Sequence, residues 1–436
     1  MYQYVGVSCP DTADERYCPD SGPPSPGFDR ARRLSLTWTR WRIRDIGRDR
    51  SRRRADPLGS LVPLTGSAGA FGESMQRAID LAVEHVNRSG GVDGRPLELY
   101  SADTETNPKR ARSKLVAMID DHDIVGFVGP YSSGVGTTLA PVAAAHQVME
   151  VSHGNTSPVL SGMGYRAVDG QRLKYYGRTA PNDAQQGLVM ARALTDHVEA
   201  DSAAFLYVNN PYGEGLAEKA RQAFDGEVTS MVAYSRETDD YRGTLDTVFA
   251  NDPEAVGFVA YPENGRTIIE QWHEGDYGGT WVMADGINDT ALLDDLSGVL
   301  DGHYLSSPIP QRTASHDTFV SAMGGADDVQ LYSSHGYDAL FLLALAMQRA
   351  GEASGAAIAR NIRPVSRLGT TVGVDEFATA KELLSDGTNV DYEGASSDVD
   401  LTDRLEPVVK YSILQIRDAE PTTVEQVPVS WFDGKL

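Results

Sequence analysis

Cysteine is nearly absent from this chain: Cys9 and Cys18 are the two in 436 residues, and both precede residue 58. The remainder therefore has no disulfide, no thiol nucleophile and no thiolate metal site. Lysine is scarce too, at seven residues. No apolar run approaches the roughly 18 residues that a spanning helix needs, so the body is not membrane-spanning. The nine histidines show no metal spacing such as H-E-x-x-H, and no GxxxxGK[ST] phosphate loop occurs. No cofactor is expected.

Positive charge of any kind is short. The chain has 39 Lys and Arg against 62 Asp and Glu, a formal net charge of −23. From residue 58 onward the balance is more extreme, 27 basic against 54 acidic side chains. Such a surface repels nucleic acid phosphate and anionic lipid, which excludes nucleic acid as a partner. Scattered acid with little lysine fits a protein adapted to high salt, where screening tames self-repulsion. An acidic mesophilic protein is the plainer alternative.

Residues 1–57 do not read like the rest. They hold twelve Arg and no Lys, with the Pro-rich DSGPPSPG ahead of the cluster RSRRR (50–54). No periodic apolar face runs through them. A secretory signal needs an apolar stretch of about 7–15 residues after its positive charges, and RRLSLTWTRW (32–41) is too polar. The segment is read as disordered or as a misassigned start; a nucleic-acid-binding arm and a degenerate export signal are the alternatives.

The length exceeds what one hydrophobic core usually supports, so two domains are expected. From Leu58 onward short β-rich runs alternate with helical patterns, as parallel α/β folding requires. After LGSLVPL (58–64), Met75, Ala78, Ile79, Ala82, Val83 and Val86 form one apolar helical stripe. The strand LELYSA (97–102) follows, then a helix with Asn107 as N-cap and Pro108 at its first position. Five later units repeat one arrangement: DIVGFVG (123–129), QVMEVS (147–152), SAAFLYV (202–208), AVGFVA (255–260) and TWVMA (280–284). Each runs into a turn of small, hydroxyl, aromatic or acidic residues. Open α/β sheets bind ligands there, beyond the carboxyl ends of strands. One such turn is ordinary loop chemistry; five in series mark a site.

The ordered set PLTGSAGAFGES (63–74), NRSGGVDGRPLEL (87–99), DTETNPKRA (103–111), GFVGPYSSGVG (126–136), VSHGNTSP (151–158), PYGEGLAEKAR (211–221), YPENG (261–265) and MADGIN (283–288) resembles a known family. It is that of the leucine/isoleucine/valine-binding proteins of ABC transporters, with the type I periplasmic binding fold. The likeness spans about 58–436. It implies two doubly wound, Rossmann-like α/β lobes joined by three crossover strands, with the ligand between them. Lobe 1 would hold 58–180 plus 308–388, and lobe 2 would hold 181–307 plus 389–436. The family's fuller first strand is cut short here just upstream of Gly59, where the Arg-rich segment abuts it. That truncation accords with a misassigned start and leaves the first strand's pairing open. The resemblance further implies an extracytoplasmic monomer that delivers a small amino-acid-like ligand to ABC permease subunits.

By the same resemblance, Ser133 receives the ligand α-carboxylate with N–H groups of a helix start, whose partial positive charge suits an anion. Ser132 neighbours it and has helix capping as its plainer role. Thr156 completes the cradle, and the Gly154 carbonyl takes the ligand ammonium. Asp285 stands where the family has Glu in P-E-G, one methylene shorter, and would pair the ammonium through charge-assisted bonds. Tyr212 and Tyr261 close on the ligand from the second lobe. Phe71 matches an aromatic against the ligand side chain, with a place in the core as its alternative.

Two rival functions remain at this point. A sensor or receptor for amides, urea or amino acids would keep the fold and change the task. An enzyme is less favoured: GVGTTL (134–139) has Leu139 where a dinucleotide fingerprint needs its third glycine, and GPYSSG is no G-x-S-x-G elbow. A Ser133–His153 dyad is the remaining catalytic possibility.

Overall fold

The computed structural model describes residues 55–309 and 313–436; residues 1–54, with the reading of that segment as disordered or a misassigned start, lie outside the described residues. The chain is laid down in four passes over two sheets. In the first pass β1 (Asp56–Val62) pairs in parallel along its whole length with β2 (Leu97–Asp103), and over Leu58–Ser60 with β3 (Gly126–Val128). The first strand, expected to be cut short just upstream of Gly59, starts at Asp56, is as long as β2 at seven residues and is fully paired. Between β1 and β2, α1 (Gly72–Arg88) buries Met75, Ala78, Ile79, Ala82 and Val86, the expected stripe. Asn107 caps α2 (Pro108–His122) by accepting from the N–H groups of Lys109 and Arg110, each at 3.1 Å. Then come α3 (Ser133–His146), β4 (Met149–Ser152), a β5–β6 hairpin (Tyr165–Val168 and Gln171–Lys174) and β7 (Tyr176–Arg178). The first sheet has the order β2-β1-β3-β4-β7, all parallel.

The second pass opens with α4 (Asp183–Arg192) and alternates strictly: β8 (Ser202–Val208), α5 (Pro211–Ala223), β9 (Glu227–Tyr234), α6 (Arg242–Val248), β10 (Ala255–Val259), α7 (Pro262–Glu274), β11 (Thr280–Ala284), α8 (Thr290–Asp295) and β12 (Tyr304–Pro308). Strand β10 is buried at every residue, as a parallel strand covered on both faces must be. The chain then returns to the first sheet with α9 (Ala314–Met323), α10 (Ser333–Ala350), α11 (Gly355–Asn361), β13 (Thr370–Val372), α12 (Phe377–Ser385) and β14 (Val390–Tyr392). Helix α10 is buried from Ser333 to Met347 and packs along α1. The last pass adds β15 (Tyr411–Arg417) and β16 (Glu420–Val427), giving the order β16-β15-β12-β11-β10-β8-β9. These two strands are antiparallel. Only two residues, Asp418 and Ala419, connect them, both at positive φ (52° and 64°). So short a link permits a hairpin and no parallel crossover. Three crossings thus join the two sheets, after β7, β12 and β14. Among the described residues no helix is long and apolar enough to cross a membrane.

The crossings are tied by one buried ion pair. Arg178, at the end of β7, is 0% exposed and bonds Glu406, which lies in the last crossing, through Nη2 at 2.5 Å and Nε at 3.0 Å. Its Nη1 also donates to the carbonyls of Asn155 and Ser157, each at 2.9 Å. Ser161 and Asn182 complete the shell around Glu406. Burial alone would raise the Glu406 pKa, but the Arg178 charge and these hydrogen bonds together hold it below its ordinary value. A depressed carboxylate contributes stability above its unfolded pKa and loses it as pH falls through the folded value. Removing one partner of such a pair strands the other charge. We expect Arg178→Met to lower unfolding stability by about 3–5 kcal/mol in denaturant titrations at neutral pH. A loss below about 1 kcal/mol would show that the pair is not a tie.

Candidate functional site

A cavity lies where the strand ends of the two sheets face each other. Its lining comprises Tyr131, Ser133, Gly154, Thr156, Tyr212, Tyr261, Asp285, Gly286 and Tyr332. Each follows from local structure. Ser133 is the first residue of α3 beyond β3, and Gly154 and Thr156 occupy the turn beyond β4. Asn210 caps α5 by accepting from the N–H groups of Tyr212 (3.0 Å) and Gly213 (2.9 Å), which fixes Tyr212 beyond β8. Tyr261 is the cap residue of α7 beyond β10, and Asp285 follows β11 directly. Tyr332 precedes α10 at φ 63°.

Six of the eight residues singled out from sequence therefore meet here: Ser133, Gly154, Thr156, Tyr212, Tyr261 and Asp285. Ser132 and Phe71 stand outside the lining. Ser132 is the cap residue of α3 but makes no side-chain cap bond; its hydroxyl meets that of Tyr261. Phe71 is buried in the core and packs on Tyr131 with ring centroids 6.0 Å apart, so Tyr131 comes between it and the cavity. Tyr131, Gly286 and Tyr332 line the cavity without having been singled out from sequence. Tyr131 was visible in the same strand-end turn as Ser133, whereas nothing near Tyr332 in sequence marks it.

On the first-sheet side, the Ser133 hydroxyl oxygen accepts from the N–H groups of Thr156 and Ser157, each at 3.2 Å. That leaves its proton free to donate into the cavity. His153 is not its partner. Its Nε2 lies 3.3 Å from the Met75 sulfur, and burial pushes its pKa down to about 3, so no Ser133–His153 dyad forms. Gly154 must be glycine, because a Cβ there would overlap the Tyr131 ring.

On the second-sheet side, Asp285 is 2% exposed and accepts from the Tyr332 hydroxyl at 2.8 Å. Burial raises its pKa, opposed by hydrogen bonds from Gln186, Tyr332 and the N–H groups of Asp285 and Gly286. Asp183, the first residue of α4, is a second buried carboxylate beside it. Its pKa is pushed well up by burial and then by the Asp285 charge, with Thr156 and Arg178 opposing. Sequence reading passes over Asp183 because an acid at a helix start has an ordinary explanation in the helix dipole. No Lys or Arg lines the cavity. The Tyr212 hydroxyl is buried without a hydrogen-bond partner, a state that calls for a polar group from elsewhere.

The two sides touch at the rim: Ser157 Oγ donates to the Pro211 carbonyl (2.6 Å), and Arg236 donates to Ser67 Oγ (2.6 Å). The free volume inside is about 10 Å³, roughly what one water molecule occupies. A ligand of amino-acid size enters only if the sides part. The arrangement offers hydroxyl and helix-start donors on one wall, the Asp285 carboxylate on the other and tyrosine rings between. We expect Gly154→Ala to lower ligand affinity at least tenfold, since the added Cβ must displace the Tyr131 ring, a wall of the cavity. Unchanged affinity in calorimetry would remove this turn from the site.

Comparison with known proteins places this geometry. The sequence profile of the periplasmic binding protein family matches residues 57–382. The chemotactic signal transduction system substrate-binding protein BasB of Halobacterium salinarum is 35% identical over 86% of this chain and 91% of its own length. The Leu/Ile/Val-binding protein BraC3 of Rhizobium johnstonii is 25% identical over 75% of this chain and 89% of its own. Among solved structures, the leucine-binding protein LivK of Thermotoga maritima aligns with a TM-score of 0.72 at 19% identity. LivJ of Streptococcus pneumoniae, solved with isoleucine, aligns at 0.71 and 19%. Each alignment covers 86% of this chain and 99% of the other, and shows the two-lobed fold.

Proposed function

This chain belongs to the periplasmic binding protein family, and from that premise we propose that it captures a zwitterionic amino acid of the branched-chain class between its lobes. The observation that carries the reading is the division of charge across the cavity. Donors at Ser133 and the start of α3 face the buried carboxylate of Asp285, with no basic side chain among the described lining residues. Asp183, outside the lining, is near enough for its own ionisation to be opposed by the Asp285 charge. A carboxylate suits the first wall, where the helix start carries partial positive charge. An ammonium suits the second, where two buried acids raise each other's cost of ionisation until a cation joins them. Tyr212 and Tyr261, with ring centroids 5.5 Å apart, close over the ligand from the second lobe.

The lobes are read as 58–180 plus 308–388 and 181–307 plus 389–436, turning about the three crossings. A ligand touching both walls favours the closed state by its differential affinity alone. The reading is of a binding protein outside the cytoplasm, monomeric and without catalytic activity, that offers its closed form to the permease subunits of an ABC importer. A chemotaxis receptor as the recipient is the second reading, favoured by the 35% identity to BasB. The source of BasB and the acidic surface agree in pointing to a saline setting.

Calorimetry with leucine, isoleucine and valine in molar salt tests this. We expect Asp285→Asn to weaken binding by about 2–4 kcal/mol, as for the loss of a buried charge partner. Ser133→Ala and Thr156→Ala should cost the acids more than their amides. Equal losses for acid and amide would remove the carboxylate cradle.

The pH dependence has a definite sign. Free Asp285 has a raised pKa, and an ammonium beside it would lower that value, so binding releases protons near the raised pKa. Affinity should fall on acidification, beginning above the ordinary carboxylate range. An affinity that rises as pH falls would contradict ammonium pairing.

A further inference from the structure

A second cavity, of about 210 Å³, lies beside the first at the crossings between the sheets. Its walls include Pro308, Leu331, Ser334, His335, His316 and Val409. Tyr332 lines both cavities. The ring stands between Tyr131, a wall of the first cavity, at 6.0 Å, and His335, a wall of the second, at 4.8 Å between centroids. It is 5% exposed and is held from two directions. Its backbone sits at φ 63° at the start of α10, and its hydroxyl is anchored on Asp285. The larger space is thus separated from the ligand cavity by one side chain.

We propose that Tyr332 is a partition that sets the size limit of the ligand, and that the space behind it is a second chamber fitted to a neutral aromatic side chain carrying one polar atom. The inference rests on the amino-acid reading of the first cavity. The chemistry of the second chamber selects the class. Leu331, Pro308 and Val409 offer an apolar slot, while Ser334 and the two imidazoles offer hydrogen-bonding groups. Burial keeps His335 neutral, with its pKa near 3, and among the described residues no Lys or Arg lines the chamber. Among the described residues an anionic side chain there would meet no counter-charge, and a cationic one no carboxylate. An indole or a phenol meets both requirements. With Tyr332 in place the chamber is shut off from the ligand, and these larger side chains are refused.

The test compares tryptophan with leucine by calorimetry in molar salt, on the full chain. In Tyr332→Ala the tryptophan-to-leucine affinity ratio should rise at least tenfold, whatever the loss in absolute affinity from freeing Asp285. Tyr332→Phe keeps the ring and should leave the ratio within threefold of native. Adding Val409→Trp to Tyr332→Ala fills the chamber and should cancel the gain; Leu331→Trp does so from another wall if that double variant does not fold. An unchanged ratio in Tyr332→Ala, or a gain that survives filling, overturns the partition. If the native protein binds neither amino acid, the amino-acid reading fails instead. The partition is then judged in xenon-pressurised crystals, where Tyr332→Ala should show one continuous site; two separate sites, as expected of the native protein, would overturn it.

Discussion

The Arg178–Glu406 pair is the constraint on which the rest of this structure depends. Glu406 lies in the last crossing and Arg178 at the end of the first sheet, so their bond fixes where the chain passes between lobes. The same guanidinium holds the carbonyls of Asn155 and Ser157, the residues on either side of Thr156. A fully buried charge is tolerable only when every donor is used. Here that requirement locks the hinge and the ligand-facing turn into one unit. The turn between β4 and the crossings cannot shift without stranding a charge in the core.

From that fixed turn the proposed mechanism follows as electrostatics. The first lobe would supply the donors for the carboxylate and the Gly154 carbonyl, and the second the charged partner of the ammonium, Asp285. The full set of partners would therefore meet a zwitterion only on closure. Closure is then favoured only by a ligand with two opposite charges at the right spacing. Tyrosines suit the intervening space because burial keeps their hydroxyls neutral, leaving them as donors beside the two acids.

The strand-turn-helix order was legible in sequence because its signals are local. Asn107 with Pro108, the Met75–Val86 stripe and the turns beyond five buried strands each declare themselves within a dozen residues. Six cavity residues were reachable because they lie in those turns. The hidden parts are long-range. Arg178 and Glu406 are 228 positions apart, and Tyr332 meets Asp285 across 47. Asp183 was concealed by a sufficient local explanation. Phe71, assigned to the ligand by resemblance, packs on Tyr131 and stands outside the cavity lining. The antiparallel β15–β16 hairpin depends on a two-residue link whose strands were not separately recognisable.

The central claim is that a zwitterion, and nothing less, closes the lobes. Single-molecule FRET between labels on the two lobes, in molar salt, measures this most directly. Titration with the branched-chain amino acids should populate a high-transfer state saturably, whereas isocaproic acid and isoamylamine, each lacking one charge, should leave the distribution unchanged at the same concentrations. Closure by either single-charged compound, or none with any of the three amino acids, would contradict the account.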